Sequence, residues 1–137
     1  MAIRRKVNIN EIPVDHQLKE DDGWVRMDVQ WLCSEDVTGS QKCVVGRTIF
    51  GPGTGAHEHH THSNAEEVLY VIRGKGIAIS GDEEFEIGAG DLVFVPVGDV
   101  HYFKNTHPTE DMETLWMYGG VSSLEKSGYN HIKIEKQ

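Results

Sequence analysis

The chain has 137 residues, a hydrophobic fraction of 38% and a formal net charge of −9. Its length and composition indicate one globular domain around one hydrophobic core, and its acidic balance argues against nucleic acid or an anionic membrane as a partner, since both attract positive surfaces. No stretch resembles a signal peptide or a membrane span, so we expect a cytoplasmic protein.

The N-terminal part is predicted to be an arm followed by a barrel. Residues 1–20 mix apolar and charged positions around Pro13, which rules out a regular helix through them. We interpret residues 1–20 as an extended arm or edge strand, and residues 21–137 as the barrel domain. Alternation of apolar and polar residues over 24–33 predicts a half-buried strand, and residues 43–50 predict a second strand.

Two cysteines lie at the facing ends of these predicted strands. A hairpin could place Cys33 and Cys43 side by side, but their spacing is not that of a CxxC motif. Free thiols are the default in a reducing cytosol. The sequence leaves open whether the two cysteines pair.

The second half of the chain is predicted to consist of short strands. Residues 68–73 form a continuous apolar run that predicts a buried strand, and residues 122–126 predict a short helix with Ser122 or Ser123 as N-cap. The tail, residues 131–137, alternates weakly. Further strands are predicted near residues 77–79, 85–87, 92–97, 100–104 and 114–118. Eight or nine strands with frequent turns predict an all-β sandwich or barrel.

Histidines are concentrated in one segment, because four of the eight lie between residues 57 and 62. His60 and His62 would point to the same side of a strand, and Glu67 begins the next strand. His101, from another hairpin, could join them. Three imidazoles and one carboxylate would hold one divalent transition metal and leave coordination positions for water or substrate. Iron, manganese, nickel, cobalt, copper and zinc all fit such a donor set.

The segment around His101 resembles a known motif. Gly90, Pro96, Gly98, His101 and Asn105 have the spacing of the second cupin motif at every position. Gly98 would allow the sharp reversal that directs His101 inward.

The earlier histidines resemble the first cupin motif. His60, His62, Glu67 and Gly74 match it from the histidines onward, whereas Thr54 stands where the motif has a glycine. The resemblance implies a double-stranded β-helix, or jelly roll, that holds a mononuclear metal through His60, His62, Glu67 and His101. It also implies a homodimer, for which the apolar arm and strand 24–33 offer surfaces.

Other residues near the motifs have open roles. His57 and His59 form a second HxH pair, and we interpret them either as groups that orient the ligands or as loop surface. Glu58 could reach the pocket rim. Tyr70 and Tyr102 could donate protons, although most strand tyrosines are structural. We expect five aromatic residues in the core, of which one or two line an apolar cavity suited to a ring or hydrocarbon: Trp31, Phe50, Phe94, Phe103 and Trp116.

Three function classes remain open: an enzyme, a non-catalytic binding module and a structural relic with a silent site, against which the intact set of four potential ligands argues. We favour a metal-dependent enzyme on a small organic molecule, and the resemblance implies an oxygen-dependent oxidoreductase of the dioxygenase type. An isomerase, lyase, decarboxylase or cyclase is the enzymatic alternative. A non-catalytic module that binds a small ligand or a metal is the alternative from another class.

Overall fold

The computed structural model describes residues 2–53 and 55–131. Within these ranges it contains ten β-strands and three single-turn 3-10 helices, and no helix there is long and apolar enough to cross a lipid bilayer. The strands are β1 (Met27–Cys33), β2 (Cys43–Phe50), β3 (His60–His62), β4 (Glu66–Arg73), β5 (Lys75–Ser80), β6 (Glu83–Gly88), β7 (Leu92–Val95), β8 (His101–Asn105), β9 (Met112–Gly119) and β10 (Tyr129–His131). The 3-10 helices are Ile9–Glu11, Glu20–Asp22 and Glu125–Ser127.

The strands form two five-stranded antiparallel sheets. One sheet has the order β1-β2-β9-β4-β7 and the other the order β10-β3-β8-β5-β6. From β2 onward the chain changes sheet at every connection except the β5–β6 hairpin. The fold is therefore the predicted all-β jelly roll, the double-stranded β-helix of cupins.

The core lies between the two sheets. In β2 every second residue is buried, including Val44 and Phe50, as period-two alternation requires. Gly46 occupies one inward position because the Trp116 indole crosses the strand there; a Cβ on Gly46 would lie 2.0 Å from the ring. Trp116 Nε1 donates a hydrogen bond of 2.7 Å to Thr48 Oγ1, which satisfies the buried indole N–H.

The prediction of a buried strand over residues 68–73 was wrong in part. In β4 the side chains alternate, and Tyr70 and Ile72 are 42% and 43% exposed. Phe94, predicted in the core, is 50% exposed on β7. The sheet is covered on one face only, so an apolar run does not imply burial on both faces.

The N-terminal residues lie along β1. Among the described residues before β1 there is no strand, only two 3-10 helices and an isolated bridge between Val25 and Ala56. Gln30 Nε2 donates to the carbonyls of Ile9 and Ile12, which attaches the arm to the sheet. The boundary between arm and barrel at residue 20 stays a prediction.

Two predicted elements, the first strand and the short C-terminal helix, have slightly different bounds in the structure. The strand predicted from residue 24 begins at Met27, because Arg26 adopts a positive φ of 49°. The helix predicted over 122–126 is a 3-10 turn, Glu125–Ser127, with Leu124 at its N-cap, although the Ser123 hydroxyl accepts from the Lys126 N–H. Most of the predicted tail, residues 132–137, lies outside the described residues.

Candidate metal centre

Four buried side chains converge between the sheets. His60 and His62 lie on β3 and His101 on β8, and His60 pairs directly with His101 across the two strands. Glu67 comes from β4 in the opposite sheet. One potential ligand atom from each of the four lies within 4.8 Å of all the others. The sequence prediction named these four residues.

The outer ring nitrogens of the three histidines are already hydrogen-bonded. His60 Nδ1 lies 2.9 Å from the Glu58 carbonyl and His101 Nδ1 lies 3.2 Å from the Asp99 carbonyl. A carbonyl oxygen only accepts, so both Nδ1 atoms carry the proton. Both rings therefore present Nε2 toward the centre of the cluster.

The third histidine is oriented by a serine. Ser127 Oγ donates its proton to the Leu124 carbonyl at 2.5 Å, so it accepts from His62 Nδ1 at 2.7 Å. Ser127 is fully buried. It lies 65 residues from His62 in sequence, beyond both motifs. His62 thus also presents Nε2 to the centre.

The inward atoms lack well-aligned partners. His62 Nε2, Glu67 Oε2 and His101 Nε2 are buried without a hydrogen bond among the described residues. Glu67 Oε2 lies 2.7 Å from His101 Nε2 and 3.9 Å from His62 Nε2. Orphaned buried polar atoms are costly, and a cation among these three atoms would satisfy all of them.

Electrostatics couple Glu67 to the imidazoles. Burial disfavours the charged form of Glu67, but the neighbouring His101 outweighs it, and the pKa of Glu67 is lowered. Burial also opposes the charged form of His101, yet Glu67 raises the pKa of His101 overall. Burial lowers the pKa of His62 to about 4. Both shifts favour the ion pair of Glu67 and His101, so a metal at this centre would compete with a proton on His101.

His57 and His59 lie outside this cluster. His57 is buried; its Nδ1 donates to the Glu58 carbonyl at 2.6 Å and its Nε2 accepts from the Phe103 N–H at 3.2 Å. Burial lowers the pKa of His57 to about 3. The His59 ring stacks on Tyr102, with 4.3 Å between ring centroids. With both nitrogens bonded to backbone, His57 has no lone pair to offer a metal.

Three residues that sequence reasoning did not select surround the histidines: Trp24, Ser127 and Tyr129. The Tyr129 ring lies 4.5 Å from the His60 ring and its hydroxyl donates to the Glu58 carboxylate. Trp24 stacks on Tyr129 at 5.9 Å. Only the pairing of β10 with β3, which no local pattern encodes, could have pointed to Ser127 and Tyr129.

A small, mostly apolar cavity of about 30 Å³ adjoins the cluster, with His60 and Glu67 in its wall. Four of the five predicted aromatic residues line it, whereas Phe94 points to the outside of the sheet: the four are Trp31, Phe50, Phe103 and Trp116. Tyr70 is on the exposed face and Tyr102 contacts His59, so neither lines the cavity. Among the described residues that line it there is no lysine or arginine.

Comparison with known proteins gives a consistent picture. The family model for the cupin domain matches residues 46–118. The structure of the polyketide cyclase RemF from Streptomyces resistomycificus superposes with a TM-score of 0.75 at 18% identity, covering 98% of this chain and 89% of that one. A predicted oxalate decarboxylase from Thermotoga maritima superposes with a TM-score of 0.73 at 24% identity, covering 85% and 100%.

Among curated sequences, auxin-binding protein T85 from Nicotiana tabacum is 28% identical over 120 residues, which are 79% of this chain and 59% of the relative. The chain spans about half the length of the first curated relatives it matches. At these identities the structural likeness concerns the fold.

Proposed function

The chain belongs to the cupin family, and from that premise we propose that it is a metal-dependent enzyme acting on a small organic molecule. The ligands of one divalent transition metal would be His60, His62, Glu67 and His101. The observation that carries the proposal is the orientation of the three imidazoles: each Nδ1 is hydrogen-bonded, and one ligand atom of each ring lies within 4.8 Å of a Glu67 carboxylate oxygen. Such a set costs folding free energy when it binds nothing.

The donor set fits several metals, and these metals differ in the chemistry that they would supply. Three imidazole nitrogens and one carboxylate oxygen leave positions open on an octahedral ion. When bound, a metal at this centre supplies Lewis-acid or one-electron redox chemistry to a substrate oxygen. Iron, manganese, nickel, cobalt, copper and zinc remain candidates.

The cavity wall favours a neutral, apolar substrate. Its lining is mostly aromatic and aliphatic, with Thr48 and His57 beside His60 and Glu67, and it contains no lysine or arginine to hold a second carboxylate. A dicarboxylate long enough to extend beyond the metal would find no lysine or arginine in the lining for its outer charge. A ring with one or two oxygen donors would place its oxygens at the metal and its carbon skeleton against Phe50 and Trp116.

The cavity of about 30 Å³ has room for one or two waters. A ring therefore needs displacement of part of the wall. Trp24 lines the cavity and stacks on Tyr129, so these two rings are the part that we propose moves. On closure, the same apolar wall would exclude bulk water from the reacting atoms.

We favour an oxygen-dependent reaction of the dioxygenase type. Support comes from the three-histidine, one-carboxylate donor set with open positions, which can take a substrate oxygen and a second small ligand side by side. The apolar wall would also keep competing water away.

One observation favours a redox-neutral alternative, an isomerase, lyase, decarboxylase or cyclase. The Tyr129 hydroxyl donates to Glu58 next to His60, and burial raises the pKa of Tyr129. Tyr129 therefore stays protonated and, on exchanging Glu58 for a substrate oxygen, could deliver a proton there.

Elemental analysis of untagged protein, followed by anaerobic iron(II) reconstitution and oxygen-uptake assays, tests the proposal. The substrate panel contains catechols, β-diketones and small carboxylic acids. Stoichiometric iron with substrate-dependent oxygen uptake supports the oxygenase. Bound zinc, manganese or nickel with turnover but no oxygen uptake supports the redox-neutral alternative. Metal without turnover leaves a binding module, and no metal under any condition refutes the metal centre.

A homodimer is part of the proposal. Ile3 and Ile9 of the arm are 57% and 40% exposed, and β1 forms one edge of its sheet, so the arm and β1 could extend a partner's sheet. Light scattering over a range of protein concentrations tests it, and a monomer at every concentration would refute it.

A further inference from the structure

The two cysteines lie together at one end of the barrel. Cys33 ends β1 and Cys43 begins β2, and their sulfur atoms are 3.9 Å apart. Both are free thiols and both are half-buried. A disulfide needs the sulfurs at about 2.05 Å, and side-chain rotation from van der Waals contact can supply that approach.

Each thiol also contacts a hydroxyl. Cys33 Sγ lies 3.2 Å from Thr38 Oγ1 and Cys43 Sγ lies 3.4 Å from Ser40 Oγ. Both hydroxyls donate their protons to carbonyl oxygens, of Ser34 and Cys43 respectively. They can therefore only accept from the thiols, and loss of these weak contacts on oxidation would cost little.

Cys33 opens onto a basic surface depression. The depression has a volume of about 530 Å³, and Cys33, not Cys43, is among its lining residues. Three consecutive cationic residues of the N-terminal arm line the same depression and are exposed: Arg4, Arg5 and Lys6. The arm is held there by the Arg4 N–H, which donates to the Thr38 carbonyl at 3.1 Å.

We propose that this depression binds small anionic disulfides and that Cys33 and Cys43 exchange with them. The thiolate of Cys33 attacks one sulfur of the bound disulfide, whose S–S bond breaks and releases one small thiolate. The thiolate of Cys43 then attacks the Cys33 sulfur, which forms the Cys33–Cys43 bond and releases the second small thiolate.

The exchange balances without a further reactant. The two protein thiols give up two protons and two electrons, and the small disulfide becomes two thiols. The positive arm attracts the anionic reagent, because opposite charges raise its local concentration. The new bond would clamp the loop between β1 and β2, on which the arm rests.

Oxidised glutathione is the probe, with cystamine as its cationic counterpart. Protein at low ionic strength is mixed with each reagent, and adducts are followed by mass spectrometry. We expect the wild-type chain to lose both thiols and gain no adduct, and Cys43→Ser to accumulate one glutathione on Cys33. Cys33→Ser should react at least about tenfold more slowly, because the remaining thiol does not line the depression.

Charge reversal of the reagent tests the role of the arm. Relative to the reaction of each reagent with N-acetylcysteine, we expect oxidised glutathione to react about tenfold faster than cystamine at low salt, and this preference to fade at 1 M salt. The double variant Arg5→Ala, Lys6→Ala should lose the preference. The matched control Lys19→Ala, Lys75→Ala removes two exposed charges from outside the depression and should keep it.

Two results would overturn the proposal. One is a stable adduct on the wild-type chain, since it would mean that Cys43 does not reach Cys33. The other is equal normalised rates for both reagents at low salt, since the arm would then play no part. Circular dichroism of each variant checks that the barrel is folded.

Discussion

The proposed ligands and the residues behind them come from different parts of the chain. All four ligands lie between residues 60 and 101, inside the segment that matches the cupin domain. Trp24, Ser127 and Tyr129, here called the flanking cap, lie outside it. Ser127 orients His62, and the two rings cover His60. The contrast teaches that the motif supplies the donor atoms, whereas the flanks of this particular chain position and cover them.

The largest effect is expected on metal content, which should distinguish the four proposed ligands from His57, their buried neighbour. His60→Ala, His62→Ala, Glu67→Ala and His101→Ala each remove a donor atom, and elemental analysis should show stoichiometric metal lost in each. His57→Ala should keep the metal, because both His57 nitrogens already bond backbone. It should still destabilise the fold by about 1–3 kcal/mol, since the Phe103 N–H is left without its acceptor.

His59→Ala is the half-buried control for that series: it should keep the metal and lose only the stacking contact with Tyr102. If His57→Ala or His59→Ala strips the metal and His60→Ala does not, the other HxH pair binds and the proposed ligand register is wrong.

The second prediction concerns the flanking cap directly. Ser127→Ala leaves the His62 Nδ1–H without its acceptor, and we expect metal affinity to fall about 10–100-fold. Competition with a chromophoric chelator measures the change. Ser127→Thr retains a hydroxyl and should recover most of the affinity.

Ser122→Ala is the control for Ser127, because Ser122 is also buried but donates to Glu35 and not to a histidine. Equal losses of metal affinity in both serine variants would mean that the C-terminal segment acts through general stability, and would refute the positioning role of Ser127.

The third prediction uses pH on the metal-free protein. The pKa of His57 is about 3 and that of His62 about 4 in the folded chain, both below the ordinary value of 6.5. At a pH between the folded-state pKa of each histidine and 6.5, the unfolded chain binds more protons than the folded chain. Stability therefore falls as the pH drops from 6.5 toward 4. Each histidine contributes a slope of at most about 1.4 kcal/mol per pH unit.

His101 acts in the opposite direction and at higher pH, so it leaves the slope below pH 6.5 nearly unchanged. Its pKa is raised, so its contribution is full below pH 6.5 and is lost as pH rises through the raised value. Urea unfolding from pH 4 to 8 measures the balance. His57→Gln should flatten the acid limb, and exposed His16→Gln should not. An unchanged limb in His57→Gln would show that other groups cause the acid sensitivity.

The barrel could be predicted from a short-range rule, whereas the convergence of the four residues also needed the resemblance of two separate segments to the cupin motifs. Period-two alternation marked most strands, and HxH spacing placed His60 and His62 on one side of β3. The exposure of Phe94 and Tyr70 could not be predicted in this way, because hydrophobicity does not tell which face of a sheet is covered. The role of Ser127 could not be predicted because its partner, His62, lies 65 residues away in sequence.

The smallest effect should show whether the two flanks act together. Trp24 and Tyr129 come from opposite ends of the chain, and their rings stack at 5.9 Å with planes 21° apart. A double-mutant cycle with Trp24→Leu and Tyr129→Leu, read from urea unfolding of the metal-free protein, should give a coupling free energy of about 0.5–1.5 kcal/mol. The hydrogen bond between Tyr129 and Glu58 does not contribute to the coupling, because Tyr129→Leu removes it equally with and without Trp24.

Trp31 pairs edge-on with Trp116 at 5.3 Å, away from Tyr129, so a cycle of Trp31→Leu with Tyr129→Leu should give a coupling near zero. If the Trp24 cycle also gave zero, the N-terminal flank would cover the centre without being held by the C-terminal one, and the proposed movement of the two rings as a unit would be wrong.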